Sequence, residues 1–431
     1  MEGDVEQRLV RKICMRILPL LILGYFFSYF DRVNVGFAAI SMKEDFHLSP
    51  AAFGFGAGIF FIGYTLFEIP SNLIMLRTGP RIWIGRIMIT WGLISAGTAF
   101  VWNDVSFWVA RFLLGVAEAG FFPGIIYYLT LWLPARYRAR IFGLVLATGV
   151  VSVVIGSPIS GWILSVGSIA GLKNWQWLLI VEGLPSSLLG IIVLFGLPNR
   201  PDQVTWLSAR EKTWLTQELQ QEKSSLSAEA SRAGRALLDR RVWALGLMVF
   251  PLAAAIYGMF TWLPQVVSSL GASPMQTGLI NAVPFIFSAI AMVWWGNHSD
   301  RTGERAWHLI IPPVCATVGL VTAAMLPVGI WTLVWLSIGM AGTLAALTMI
   351  VSVTPEFLTG AAAAAGIALV NAIGNVGSFC GPYLIGLIKA MGGQFQTALL
   401  ALGLLLLVTV GLAVWFRARH GVELGISSAN A

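Results

Sequence analysis

Charge is what this sequence has least of. Asp, Glu, Lys and Arg make up 11% of its 431 residues, where a soluble globular chain carries about 25%. So few cannot cover a water-facing surface, and the 57% hydrophobic share points to an exterior that meets lipid. Strands of alternating polar and apolar residues are missing, which excludes a membrane barrel and leaves membrane-spanning helices. The three cysteines, Cys14, Cys315 and Cys380, have no paired spacing, so neither a disulfide nor a metal site is expected. No phosphate-binding loop, metal-ligand cluster or nucleophile–base pair occurs. That argues against an enzyme and against pumping driven by a nucleotide, and no cofactor is expected. The net charge of +7 implies nothing about nucleic acid, because the cations sit at the ends of apolar runs. The N-terminal segment lacks a cleavage site, and the first apolar run holds two ions, so it is no signal-peptide core.

What is present is a series of twelve apolar runs, here numbered spans 1–12. The first six cover about residues 17–40, 51–76, 82–101, 106–131, 140–165 and 176–197. The second six cover about 242–268, 275–296, 307–327, 330–352, 360–388 and 395–416. Each is long enough to cross a bilayer, which takes about 20 residues. Residues 1–16 read as an amphipathic lead-in. Residues 198–241 are polar and mixed in charge, and read as a linker with some helix around 209–223. The expected organisation is a six-helix half over 1–197, the linker over 198–241, and a second half over 242–431.

The halves are related. A shift of 224 positions brings Ser49-Pro50 onto Ser273-Pro274, Gly54 onto Gly278, Gly115 onto Gly339 and Pro158 onto Pro382. The same shift brings Arg77, Gly79 and Arg81 onto Arg301, Gly303 and Arg305. One offset that aligns both loops and helix glycines implies a parallel duplication. All but five of the 27 Lys and Arg residues fall on one side of the twelve spans. Lys43, Lys173 and Lys389 fall on the other, and Arg32 and Arg111 lie within spans. Cytoplasmic loops carry the excess of cations, so both termini are expected inside, in the inner (plasma) membrane.

Asp31 and Arg32 stand side by side near the middle of span 1. Ions at that depth cost about 2.5–3.5 kcal/mol each on insertion scales. A chain retains them where they face a polar cavity or each other. One reading is a site for an anion and a proton; the other is an ion pair locking two helices. Arg32 suits an anion, because a guanidinium grips a carboxylate with two parallel hydrogen bonds. Tyr29, three residues earlier, shares its helix face and adds a hydroxyl, or merely packs. Asp31 and Glu118 are the proton candidates: a low-dielectric site favours the neutral acid, and a nearby arginine favours the ionised one. Arg111 and Glu118 are two helical turns apart on span 4, and Arg111 also serves as a clamp on Asp31 or Glu118 in a purely structural reading. Under the shift, these four positions meet Ala255, Ile256, Trp335 and Gly342, so the charges belong to one half. The other half is expected to supply neutral groups: Tyr257 in span 7, and Asn371 and Asn375 on one face of span 11. Trp262 and Gln265 are further candidates. Interhelical hydrogen bonds are the alternative for the asparagines. Glu68, near the end of span 2, is expected to pair with a loop arginine.

The duplication, the linker and the loop GNHSDRTGER resemble the major facilitator superfamily. The loop matches its G-x-x-x-D-R-x-G-x-R signature at Gly296, Asp300, Arg301, Gly303 and Arg305; the first copy retains Arg77, Gly79 and Arg81, with Leu76 in the acidic position. The stretches DRVNVGFA, GIFFIGYTLFEIPSN, RIMITWG and ARFLLGVAEAGFFPG are similar to the anion:cation symporter branch, near its tartrate and phthalate permeases. The resemblance implies an all-helical fold of two six-helix halves and proton-driven uptake of a small organic anion. It further implies roles for Asp31, Arg32, Arg111 and Glu118 in substrate and proton binding, and substrate contact for Tyr29 and Tyr64. Where sugar-acid members carry a polar residue in span 5, this chain reads Gly149-Val-Val-Ser152. Arg77, Arg81, Asp300, Arg301 and Arg305 are expected to form gating contacts on the cytoplasmic side, with Glu356 joining them. The partners expected are a small carboxylate, protons and the bilayer, for a monomer. An exchanger or exporter of the same fold stays open as an alternative, as does a membrane enzyme or receptor.

Overall fold

A computed structural model describes residues 3–227, 238–357 and 360–420. Twelve of its helices are long and apolar enough to cross a membrane. Spans 1–6 are Gly3–Asp45, Pro50–Thr78, Pro80–Gly97, Asp104–Thr130, Ala135–Val166 and Asn174–Gly196. Spans 7–12 are Arg240–Ser269, Pro274–Thr302, Ala306–Met325, Ile330–Phe357, Gly360–Ala390 and Phe395–His420. Helices are what the composition demands, since each satisfies its own backbone in lipid. Leu66, Ile69, Leu73, Phe195, Ile290 and Val293 point outward and exposed; on a membrane protein such a surface meets lipid. An even number of crossings leaves both chain ends at one face of the bundle, called here the terminal face.

The punctuation of the helices repeats with the duplication. Ser49 caps span 2, taking the backbone N–H of Ala52, with Pro50 at the first position. Ser273 caps span 8, taking the N–H of Gln276, with Pro274 at the first position. Both spans end at a glycine of positive φ, Gly79 at 87° and Gly303 at 67°, a backbone that side chains rarely tolerate.

Packing repeats as well. Span 1 lies on spans 5 and 6 as span 7 lies on 11 and 12; span 2 lies on 4 as 8 lies on 10; span 3 lies on 6 as 9 lies on 12. The halves meet along span 2 with span 11, span 5 with span 8, and span 1 with span 7. In lipid such contacts rest on close packing of small residues. A Cβ on Gly54 would stand 2.5 Å from the Pro382 carbonyl oxygen, and one on Gly278 would stand 2.4 Å from that of Ser157. These two approaches, related by the duplication, join the halves near the face opposite the chain ends. At that face Trp262 Nε1 also donates to the Pro382 carbonyl at 3.0 Å, and Lys43 donates to the Gln265 amide oxygen.

Two elements differ from the sequence reading. The lead-in is no separate piece: span 1 is one helix of 43 residues, about 65 Å long, so its first turns stand beyond the bilayer. The linker helix, Ala209–Ser227, straps those turns to the first half. Lys12 pairs with Glu211 at 3.0 Å, Arg136 with Glu6 and Glu218 at 2.5 and 2.7 Å, and Arg138 with Glu222 at 2.7 Å. Trp206 stacks on Trp132, with ring centres 5.9 Å apart. Span 4 is two helices, Asp104–Glu118 and Phe121–Thr130, broken at Ala119 and Gly120.

Candidate functional site

Asp31 and Arg32 are neighbours in sequence and part company in space, because successive helix residues turn by about 100°. Arg32 reaches toward spans 4 and 7. Its Nη2 lies 2.5 Å from Glu118 Oε1, and its Nη1 donates to the Tyr257 hydroxyl at 3.0 Å. The guanidinium is 4.9 Å from the centre of the Tyr29 ring, 5.5 Å from Phe60 and 5.6 Å from Tyr64. Ring faces at such distances attract a cation, so Tyr29 and Tyr64 hold the guanidinium with their faces. Glu118 is fully buried, whereas 12% of the Arg32 side chain is open. Solvent thus reaches the cation and not its acid.

Asp31 turns toward span 3 instead. Its Oδ1 accepts from Asn34 Nδ2 at 2.9 Å and from Ser95 Oγ. Arg111, buried on span 4, stands 5.3 Å from the centre of the Phe60 ring, so Phe60 serves both arginines. Asp31 and Glu118 are the acids near it. Two arginines and two acids therefore balance across spans 1 and 4 in a crossed pattern. Arg32 takes Glu118 in a short ion pair, and Arg111 lies in the field of Asp31.

The break in span 4 places this acid. Span 4's first helix ends at Glu118, so the negative end of its dipole and the carboxylate lie together, and Arg32 supplies the compensating charge. Gly120 adopts φ 84°, a conformation costly for other residues. The freed Ala119 carbonyl accepts from Ser71 Oγ at 2.6 Å, and Ser71 accepts from Trp83 Nε1 at 2.9 Å. Irregular backbone at membrane depth is tolerated where protein covers it. The dipeptide Ala119-Gly120 followed by Pro123 was the visible signal of this break.

Span 5 explains its own departure in composition. A Cβ on Gly149 would stand 3.0 Å from the Tyr29 ring, so an aromatic face fills the space of a polar side chain. Ser152 is fully buried and donates to the Phe26 carbonyl at 2.6 Å. On span 11, Asn371 donates to Glu68 at 3.4 Å across the two halves, in place of a loop arginine. Asn375 Nδ2 is buried without a partner among the described residues. Trp262 and Gln265 belong to the face opposite the chain ends, engaged with Pro382 and Lys43.

The gating candidates are dispersed. Arg305, in the loop after span 8, binds Asp300 in the last turn of that span at 2.7 Å. The Arg81 backbone N–H donates to Asn199 Oδ1 at 3.1 Å, and Arg77 and Arg301 are exposed. The side chain of Glu356 lies outside the described residues. A groove lined by Val293, Trp294, Asn297, His298 and Arg301 runs along span 8, apart from the charge cluster. Sequence reasoning passed over Phe60, Asn34, Ser95 and Glu182. Phe60 carries no signal in an apolar run, but Glu182 met the criterion that selected Glu118: a lone acid within a span.

The family model described as Major Facilitator Superfamily matches residues 21–366 and again 267–430. The chain belongs to the Major Facilitator Superfamily. It is a multi-pass membrane transporter of that superfamily, not an enzyme. Over 407 residues it is 46% identical to a chain of Agrobacterium vitis named for tartrate transport, with 94% of this chain and 91% of that one covered. Over 406 residues it is 37% identical to a chain of Acinetobacter baumannii named as a quinolone resistance transporter, with 94% of each covered. Its fold is similar to that of a bacterial homologue of the human lysosomal transporter Spinster, in an inward-facing and occupied conformation. The TM-score is 0.77 at 17% identity, covering 96% of this chain and 98% of that one.

Proposed function

We propose that this superfamily member takes up a small organic anion, of tartrate, phthalate or sugar-acid type, together with protons by alternating access. The observation that carries this reading is Arg32. It is held by the acid of one half, Glu118, and the hydroxyl of the other, Tyr257, and remains partly open to solvent. A substrate carboxylate that takes the guanidinium fork displaces Glu118. A buried carboxylate left alone is strongly disfavoured, so Glu118 then takes up a proton. Arg111 and Asp31 offer a second such exchange, which suits a dicarboxylate. Anion and proton each favour the other's binding by the same factor, the reciprocity that coupled transport requires.

Asn375 and Tyr257 supply neutral donors from the second half, and Asn371 with Glu68 stands between the site and the terminal face. The lysine and arginine excess at that face supports cytoplasmic termini, in an inner-membrane monomer open toward the inside. Arg77, Arg81, Asp300, Arg301 and Arg305 then supply closing contacts at that face in the opposite state. The reading is tested in proteoliposomes with a panel of organic acids. Asp31→Asn and Glu118→Gln are expected to lose accumulation driven by a pH gradient while retaining exchange of labelled for unlabelled anion. Undiminished accumulation in both variants would remove the proton role.

A second reading, export of organic anions, is favoured by the relative named for quinolone resistance. An inward proton gradient separates the two: an importer accumulates the anion inside, and a proton-driven exporter expels it.

A further inference from the structure

Behind the anion site, next to Asp31, lie buried oxygens of Glu182 and Asn34 that the exchange above does not use. Glu182 sits on span 6 with 2% of its surface exposed. Its Oε1 accepts from Ser160 Oγ of span 5 at 2.7 Å, and its Oε2 has no hydrogen-bond partner among the described residues. Asn34 is fully buried; one N–H of its Nδ2 donates to Asp31, and its Oδ1 has no partner among the described residues. Asp31 Oδ2 likewise has none among them. Asp31 and Asn34 lie near Glu182, and among the described residues no cation pairs with it. The placement is built by small residues. A Cβ on Gly183 would stand 2.7 Å from the Ala96 backbone nitrogen and 2.9 Å from the Gly92 carbonyl oxygen. Spans 3 and 6 thus touch through their backbones and seat Glu182 beside Ser95 and Asp31.

Two observations point to a ligand. The first is the charge balance. Arg32 and Arg111 compensate Glu118 and Asp31, which leaves Glu182 as an additional acid in the same low-dielectric region with no basic partner among the described residues. An isolated ionised carboxylate is not sustained there. The second is the Asn34 carbonyl oxygen, an unpartnered neutral acceptor beside the same acids. Acceptors without donors describe a place for something positive. Hard cations take oxygen ligands, and a proton on Glu182 would turn one of these acceptors into a donor.

We propose that Glu182, Asp31 and Asn34, with the hydroxyls of Ser160 and Ser95, form a site for one small monovalent cation, a proton or Na⁺, between spans 1, 3, 5 and 6. Through Asn34, its occupancy sets the orientation and charge of Asp31, and so the readiness of Arg111 to receive an anion. The assignment rests on the coupled-transport reading for its consequence, but cation binding is scored without substrate.

The experiment uses the purified full chain in two arms. In the first, ²²Na⁺ binding is measured on wild type and Glu182→Gln. In the second, the infrared carbonyl band of a protonated carboxylic acid is followed through a pH step on the same pair. Wild type is expected to show bound Na⁺ or an acid band, absent in Glu182→Gln. Na⁺ binding identifies the sodium form of the site, and the band alone identifies the proton form. Ser160→Ala, which keeps the acid, is the second variant should Glu182→Gln fold poorly, and is expected to shift the band or weaken Na⁺ binding. Neither signal in wild type, or signals unchanged in both variants, overturns the proposal. Should no organic acid be transported at all, the functional reading fails while both arms still report on the site.

Discussion

At the scale of single residues, Arg32 carries the largest burden. It pairs with the fully buried Glu118 at 2.5 Å. Removing one member of such a pair costs about 3–5 kcal/mol, because the other charge is stranded. Arg32→Ala is therefore expected to lower the thermal unfolding midpoint in detergent well below wild type. Adding Glu118→Gln should restore most of the loss, and a double-mutant cycle reads the coupling directly. Additive losses in that cycle would mean the pair contributes nothing beyond its separate side chains. The ions themselves were legible in the sequence, since charge in an apolar run is costly enough to be noticed. Their partners were not. Sequence spacing put Arg111 and Glu118 on one helix face, yet Glu118 belongs to Arg32 on another helix, and Asp31 turns away from its own neighbour.

Among elements, the two breaks in regularity matter most. Span 4 changes direction at Gly120, where a Cβ would stand 2.4 Å from Ser71 Oγ and φ is 84°. Gly120→Ala is expected to cost at least about 1–2 kcal/mol from backbone strain alone, seen as a lower melting temperature. It should also displace Glu118 and reduce transport more than Gly97→Ala, whose site is open. The sequence suggested one continuous helix here because apolar content, not local geometry, defines a span.

The linker helix is the other such element. Burial alone would push the Glu211 carboxyl up, but the Ser208 backbone N–H at 2.7 Å and the Lys12 ammonium outweigh it and hold it below the ordinary glutamate range. A carboxyl depressed in the folded state lends stability that is present above the unfolded value and is lost as pH falls through the folded one. The strap between span 1 and the linker is thus expected to hold at neutral pH and loosen in acid. A spin-label distance between span 1 and the linker helix should lengthen at low pH, and Glu211→Gln should lose part of that response. That a polar helix forms near 209–223 was readable from composition; its clamping of span 1 was not, because the cations it meets are far away in sequence.

For the whole molecule, the relevant fact is that the halves touch through backbone at one face. Gly54 against Pro382 and Gly278 against Ser157 leave no room for a side chain. Gly54→Val is expected to push spans 2 and 11 apart at that face and shift the population toward the state open there. With the native cysteines replaced, the buried Gln265→Cys should then react several-fold faster with a membrane-impermeant maleimide; an unchanged rate would show that this contact does not hold the face shut. Lys43 and Lys389, one from each half, both approach the Trp262 ring, at 5.2 and 5.5 Å. Such like charges at one seam favour its opening once the glycine contacts yield.

By itself the sequence determined how many times the chain crosses, that its halves are copies, and which ions are kept in lipid at a cost. Those follow from composition and period, because the bilayer penalises each residue in nearly the same way wherever it lies along a span. Tertiary structure alone decided which acid meets which arginine, which tyrosine offers its hydroxyl and which its ring face, and that among the described residues no basic side chain pairs with Glu182. Those depend on rotation about each helix axis and on contacts between spans far apart in the chain, and neither is written in the order of residues along one helix.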